Sequence, residues 1–203
     1  KAGKSTSVTG GNIHMHAGSS SSGIGGSIDI QTTTSRVGSG AINIRTEYSE
    51  LGASGDINIA ASESLSSPGG AIRVVAGASA GGAGGDLTLS AGRSSTGGAG
   101  GSVLLESGKG QQNSGDVLLR SGNAERISGS VEIATSGTIL PEGASGSISF
   151  GTGDATASAG GMSFIAGGSG TGTGGDVSFT AGSSDTQRGG HVDILSGAGA
   201  SQG

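Results

Sequence analysis

Apolar and polar residues alternate in short segments that return about every fifteen residues along the chain. Each segment begins at a glycine, here called the anchor, and thirteen anchors divide the chain into thirteen repeat units separated by 14 to 17 residues. The anchors are Gly11, Gly26, Gly40, Gly55, Gly70, Gly85, Gly101, Gly115, Gly129, Gly146, Gly160, Gly175 and Gly190. A fixed period of this kind is typical of a repeat architecture.

Three positions in each unit keep their character. The second residue after the anchor, the first apolar row, is Ile13, Ile28, Ile42, Ile57, Ile72, Leu87, Val103, Val117, Val131, Ile148, Met162, Val177 and Val192. The fourth, the second apolar row, is Met15, Ile30, Ile44, Ile59, Val74, Leu89, Leu105, Leu119, Ile133, Phe150, Phe164, Phe179 and Ile194. The sixth, the small row, is Ala17, Thr32, Thr46, Ala61, Ala76, Ala91, Ser107, Ser121, Thr135, Thr152, Ala166, Ala181 and Ser196. Apolar residues at a period of two, mostly β-branched or aromatic, predict one strand per unit.

The residues between these segments, here called arcs, are Gly, Ser, Ala and Thr in no fixed order. All of the length variation falls in the arcs, and the paired glycines before each segment suit a sharp corner with positive φ. A strand with two apolar residues buries little by itself, so neighbouring units are expected to stack. The pattern therefore predicts an all-β fold, a parallel β-solenoid of about thirteen strand-arc repeats of ~15 residues forming one continuous array over residues 1–203.

The number of repeats in each coil of this solenoid is left open between one and two. Two repeats per coil would set one apolar wall against another at about 10 Å, which buries more apolar surface than an irregular return. The residue after the anchor is Asp only in even-numbered units, at Asp56, Asp86, Asp116 and Asp176. Both observations favour two repeats, or about thirty residues, per coil.

Composition excludes several classes of protein. Glycine provides 47 of 203 residues, aromatic residues 2% and charged residues 12%, which is unlike an ordinary globular domain. A net charge of −5 with dispersed Lys and Arg argues against a nucleic-acid partner, and no apolar run approaches the ~20 residues of a membrane span. Cysteine is absent. Neither end shows a polar capping unit, so the ends are expected to stack on other copies or on more of the same chain.

Candidate chemistry is sparse, and the sequence predicts no enzyme, no catalytic residue and no cofactor. Stacked carboxylates at Asp56, Asp86 and Asp116 are calcium candidates, although hydrogen bonding of each Asp to corner amides is the favoured interpretation. His14 and His16 share one face of a segment, but no repeated pattern supports a metal site there. The Ser- and Thr-rich arcs could carry O-linked glycans.

The strand-arc pattern of Gly-Gly-Asp-Val-Ser-Phe-Thr-Ala-Gly at 174–182 resembles glycine- and serine-rich extracellular β-solenoid repeat proteins, including surface filaments, adhesin shafts and secreted repeat proteins of algae. The resemblance covers essentially the whole chain and implies an extracellular or cell-surface location. It also implies a structural function, self-association into filaments by end-to-end stacking of coils. The alternative is a binding module that presents a flat β-face to ice or to a glycan, as in an adhesin.

Overall fold

The computed structural model describes residues 10–138 and 143–198, and in these ranges the chain forms neither a helix nor a strand. It is a succession of segments separated by bends. The bends occupy residues 21–23, 36–37, 50–52, 65–67, 80–82, 95–98, 111–112, 125–126, 156–157, 170–172 and 185–187. Every one of these bends begins ten residues after an anchor glycine. The repeat in the sequence is therefore a repeat of backbone conformation.

The predicted parallel β-solenoid is wrong for this structure, and the prediction of one or two repeats per coil falls with it. A sheet requires a ladder of backbone hydrogen bonds between neighbouring segments. The backbone hydrogen bonds of the described residues join groups only seven to nine positions apart, such as Gly115 N–H with Gly108 C=O and Gly101 N–H with Gly92 C=O. Such bonds close an arc within the chain. They do not join like positions of successive units, so no ladder forms.

Within a segment, side chains nevertheless alternate between the two sides of the backbone with a period of two. His14 and His16 stack with ring centroids 6.1 Å apart, and Arg45 Nε donates to Glu47 Oε1 at 3.3 Å. Side chains two residues apart share a side in an extended backbone and not in a helix. The segments are therefore locally extended, and they lack the neighbouring partner that would make them strands.

Solvent reaches nearly the whole surface of the chain. The accessible area is 20503 Å², whereas a compact protein of 18.9 kDa exposes only about 8,000 Å². None of the described residues is buried. Those that are half-buried are Ala76, Ser107, Ser121, Ala166 and Ala181. All of them belong to the small row, so the closest packing in this structure is at the sixth position of the unit and not at the apolar rows.

The chain divides into two bodies, Lys1–Val103 and Leu104–Gly203. The first body contains the anchors Gly11 to Gly101, and the second contains Gly115 to Gly190. The same unit is used in both. The repeat runs through both bodies, and the single continuous array over residues 1–203 stays a prediction.

Candidate functional site: the closed arc and the exposed apolar rows

Seven arcs are closed by a hydrogen bond at the same place in the repeat. The anchor N–H donates to the carbonyl of the seventh residue of the preceding unit, for example from Gly26 to Gly18 at 2.8 Å and from Gly175 to Gly167 at 2.9 Å. The same bond closes arcs of different length, as between Gly101 and Gly92 and between Gly115 and Gly108. In these seven arcs the closing bond joins the same two positions of the repeat although the arcs differ in length.

From Gly26 to Gly190 the small row lies against the anchor glycine of the next unit at every anchor except Gly160, and this contact explains both residue types. A Cβ on Gly70 would lie 3.0 Å from the Cβ of Ala61, and one on Gly101 would lie 3.4 Å from the Cβ of Ala91. Larger side chains at either position would separate the two backbones and break the closing hydrogen bond. The predicted reason for the glycines was positive φ, and that reason is wrong for the anchors: among the described residues only Gly97 has positive φ, at 84°.

A serine turn shapes the arc itself. The hydroxyl of the ninth residue after the anchor accepts a hydrogen bond from the backbone N–H three residues later. The six pairs are Ser20 with Gly23, Ser49 with Gly52, Ser64 with Ser67, Ser79 with Gly82, Ser169 with Gly172 and Ser184 with Gln187, at 2.8 to 3.2 Å. A local side-chain acceptor of this kind favours a turn over continued extended chain.

This serine is the functional residue that the sequence reasoning missed. The arcs were read as having no fixed order, yet serine stands nine residues after the anchor in units 1 to 6, 11 and 12. The signal was present and was hidden by the many other serines of the arcs. Aligning the units on their anchor glycines, and reading past the small row, would have shown it.

Both apolar rows are exposed to solvent. In the first row the exposed fraction runs from 45% at Ile148 to 66% at Ile13, and in the second row from 58% at Ile133 to 86% at Ile194. Side chains of consecutive units do meet at Phe164 and Phe179, whose rings pack edge to face at 6.0 Å. The rows thus present a regular apolar surface, and nothing within the described chain covers it.

The calcium candidates Asp56, Asp86 and Asp116 are exposed side chains, each beside its anchor. In residues 10–138 and 143–198 the structure brings together no group of three His, Cys, Asp or Glu residues that could hold a metal ion. The favoured alternative was hydrogen bonding of these carboxylates to corner amides. The arc amides are instead bound by the serine hydroxyls, at Gly82 and Ser67 among others. His14 and His16 stack on each other at the first unit.

Residues 10–138 and 143–198 form no pocket, and this part of the chain contains no helix long and apolar enough to span a membrane. The candidate functional surface is therefore the row of apolar side chains between closed arcs. Comparison with known proteins adds nothing to this description, because the chain matches no protein-family model, no curated protein and no solved structure.

Proposed function

We propose that this chain is a structural component of an extracellular filament or surface appendage, and that it assembles by self-association. The observation that carries the proposal is the double apolar row, which offers two side chains in each of thirteen units at exposures of 45% or more. Exposed apolar patches larger than a few hundred Å² mark interaction surfaces. A surface repeated in every unit suits an extended interface better than it suits a single ligand.

The chemistry of the rest of the unit supports a mechanical function. The arcs are small and polar, seven of them are closed by a backbone hydrogen bond, and the titratable groups are scattered along the chain. A catalytic site needs acid, base or nucleophile side chains brought together in a cleft. The described residues enclose no pocket in which such groups could meet. The extracellular location is part of this proposal and is supported by the arcs, whose few Lys and Arg residues give trypsin-like proteases few places to cut.

The alternative binding module for ice or a glycan depended on a flat β-face. The described residues contain no sheet, and two threonines of the small row face the next anchor: the Cγ2 atoms of Thr32 and Thr46 lie 3.6 Å from the Cβ positions of Gly40 and Gly55, respectively. No observation favours this alternative over self-association.

Electron microscopy of the purified chain over a range of concentrations, with no ligand added, tests the proposal. Filaments or elongated assemblies that grow with concentration are expected. Sedimentation velocity on the same samples gives the size of the associating species. A chain that remains monomeric at every concentration would contradict the proposed function.

A further inference from the structure

The segment of unit 8 combines two features on the side of the backbone opposite the apolar rows. The third position of a unit is leucine only in units 7 and 8, at Leu104 and Leu118. An acidic residue at the first position and a basic residue at the fifth occur together only in unit 8, at Asp116 and Arg120. Residues 115–121, here called the pairing segment, therefore carry a leucine between charges of opposite sign.

We propose that two copies of this chain meet at the pairing segment. Residues 115–121 of one copy lie antiparallel to the same residues of the other, around a two-fold axis at Leu118. The inference rests on the proposed self-association and adds its site and its orientation. Unit 8 belongs wholly to the second body, Leu104–Gly203, so the contact is made by that body of each copy.

The backbone of the pairing segment is free to bind another chain. The N–H of Gly115 donates to the carbonyl of Gly108 at 3.1 Å and closes the preceding arc. Within the part of the chain that the structure describes, no other backbone group of residues 115–121 makes a backbone hydrogen bond. An extended segment with free N–H and C=O groups is a template for pairing with another chain. The closed arc thus holds the start of the segment and leaves the rest of its backbone available.

Both sides of the pairing segment have an exposed apolar centre. Alternate residues of an extended backbone point to opposite sides, so Asp116, Leu118 and Arg120 share one side while Val117 and Leu119 share the other. The exposed fraction is 72% at Leu118, 53% at Val117 and 60% at Leu119. A chain that pairs along this backbone therefore brings apolar side chains next to both sides at once.

Reversing the direction makes the segment complementary to itself. Antiparallel pairing about Leu118 sets the first position of one copy directly opposite the fifth position of the other, so Asp116 lies beside the partner's Arg120. The two-fold axis repeats this pair, and Val117 lies beside the partner's Leu119 on the other side. Opposite charges and apolar side chains placed directly across paired strands stabilise them. Each side chain from 116 to 120 therefore lies beside one of matching character.

Neither charge of the pairing segment is bound within the described chain. In residues 10–138 and 143–198 the ion pairs lie in units 3 and 13, and neither includes Asp116 or Arg120. These two residues are four positions apart in an extended segment, which separates their Cα atoms by about 13 Å and prevents them from binding each other. The proposed pairing therefore breaks no ion pair of the single chain.

Other pairings of the two leucine-containing units lack this complementarity. Parallel copies of unit 8 in register would set Asp116 beside Asp116 and Arg120 beside Arg120. Antiparallel pairing of unit 7 with unit 8 would set Glu106 beside Asp116, and unit 7 with itself would set Glu106 beside Ser102. Like charges directly opposite each other destabilise paired strands. Of these pairings, unit 8 with itself in reverse is the one that joins leucine to leucine and acid to base.

Disulfide trapping tests the contact directly, because the chain contains no native cysteine. Asp116→Cys chains are mixed with Arg120→Cys chains and oxidised mildly, and the cross-linked dimers are identified by mass. The mixed dimer keeps one charge pair and places the two cysteines opposite each other, whereas each homodimer does neither. We therefore expect mixed 116–120 dimers to exceed both homodimers several-fold.

Unit 12 provides the matched control in the same body. It has Asp176 at the first position and an arc closed at Gly175, but serine and threonine stand where unit 8 has leucine and arginine. A mixture of Asp176→Cys and Thr180→Cys chains should give few mixed dimers. Equal yields from units 8 and 12 would show that segments pair without selection, which would overturn the assigned site.

Sedimentation velocity on the unsubstituted chain separates this inference from the function on which it rests. If the chain associates but gives mainly 116–116 and 120–120 dimers, the reversed orientation is wrong and the proposed function stands. If the chain associates and neither cysteine forms a cross-link, the pairing segment is not the contact, and the proposed function again stands. A chain that forms no cross-link and sediments as a monomer would contradict both proposals.

Exchanging the two charges gives a second measurement. Arg120→Asp should weaken dimerisation about tenfold, because two like-charge pairs replace two opposite-charge pairs. Adding Asp116→Arg restores the charge pairs of the reversed orientation and the net charge of the original chain, so the double variant should dimerise to within about twofold of it. A double variant that dimerises no better than Arg120→Asp alone would show that the two positions are not opposite each other, and the pairing would be wrong.

Discussion

The contact between the small row and the next anchor is the most constrained feature of this molecule at the scale of single residues. Gly70 is its tightest instance, since a Cβ there would lie 3.0 Å from the Cβ of Ala61 and 3.7 Å from the carbonyl oxygen of Ser62. Its N–H donates to that same carbonyl at 3.2 Å. A larger side chain at residue 70 therefore cannot be accommodated without moving the N–H of that residue, which is the donor of the closing hydrogen bond.

Gly70→Val is expected to open the arc between units 4 and 5. The branched side chain would push the two backbones apart, and a net hydrogen-bond contribution of about 1 kcal/mol corresponds to roughly a fivefold loss of amide protection at residue 70. Hydrogen exchange followed by NMR, corrected for the intrinsic rate of the new residue, measures the change. Gly77→Val is the matched control, because nothing lies within 4 Å of a Cβ at Gly77. Equal protection in the two variants at residue 70 would show that the contact does not hold the arc closed.

Sequence alone predicted the identity of these positions better than the reason for them. The sixth residue is small in every unit, and the structure places Ala61 and Ala76 against the next anchor. The anchor glycine was expected for its positive φ, whereas its φ is ordinary and its lack of a side chain is what matters. The sequence shows that a position must be small, and only coordinates show what lies next to it.

At the scale of the element, the arcs of units 1, 4, 5, 11 and 12 are turns formed by one serine hydroxyl and one closing backbone bond. The arc of unit 4 provides a matched pair of serines. Ser64 Oγ accepts the N–H of Ser67 at 3.2 Å, while Ser66 lies within the bend itself. The two residues differ by two positions in the same exposed arc, so their substitution isolates the hydrogen bond.

Ser64→Ala is expected to loosen this arc and Ser66→Ala is expected to leave it unchanged. Loss of an exposed side-chain acceptor should raise exchange of the Ser67 amide about two- to fivefold. Ser64→Thr should keep most of the protection because its hydroxyl can accept the same bond. A similar increase in Ser64→Ala and Ser66→Ala would mean that the hydroxyl of Ser64 contributes nothing specific to the turn.

The segments show how far a sequence pattern can predict an element. Alternation at Ile13 and Met15, or at Ile57 and Ile59, requires that these side chains share one side, and the local geometry of neighbouring segments agrees. A strand, however, is defined by its partner. The pattern says that one side of the segment is apolar, but it does not say which chain supplies the neighbouring backbone. The prediction of a stacked solenoid therefore assumed that each segment is hydrogen-bonded to a neighbouring segment, and the described residues contain no such bonds.

At the scale of the whole molecule, the exposure of the apolar rows changes the effect expected of a charged substitution in them. A stacked solenoid predicts that a charge at Ile59 or Leu89 disrupts the fold. In this structure the two side chains are 74% and 70% exposed, so a charge there displaces no packed neighbour. Such a charge is instead placed on the surface that the proposed self-association would cover.

Ile59→Asp is therefore expected to leave the single chain intact and to weaken its association. Burying an unpaired carboxylate at an interface carries a large desolvation cost, so the concentration needed for assembly should rise at least tenfold. Sedimentation velocity measures assembly, and the protection of the Gly70 amide reports whether the adjoining arc is still closed. Asn58→Asp is the matched control: it adds the same charge one residue earlier, on the other side of an extended segment.

Weaker assembly by Ile59→Asp with an intact arc would place the apolar rows at the interface. Loss of the arc in the Ile59→Asp monomer would show that the rows already stabilise the single chain, and equal effects of the two substitutions would show that added charge, not the apolar surface, controls association.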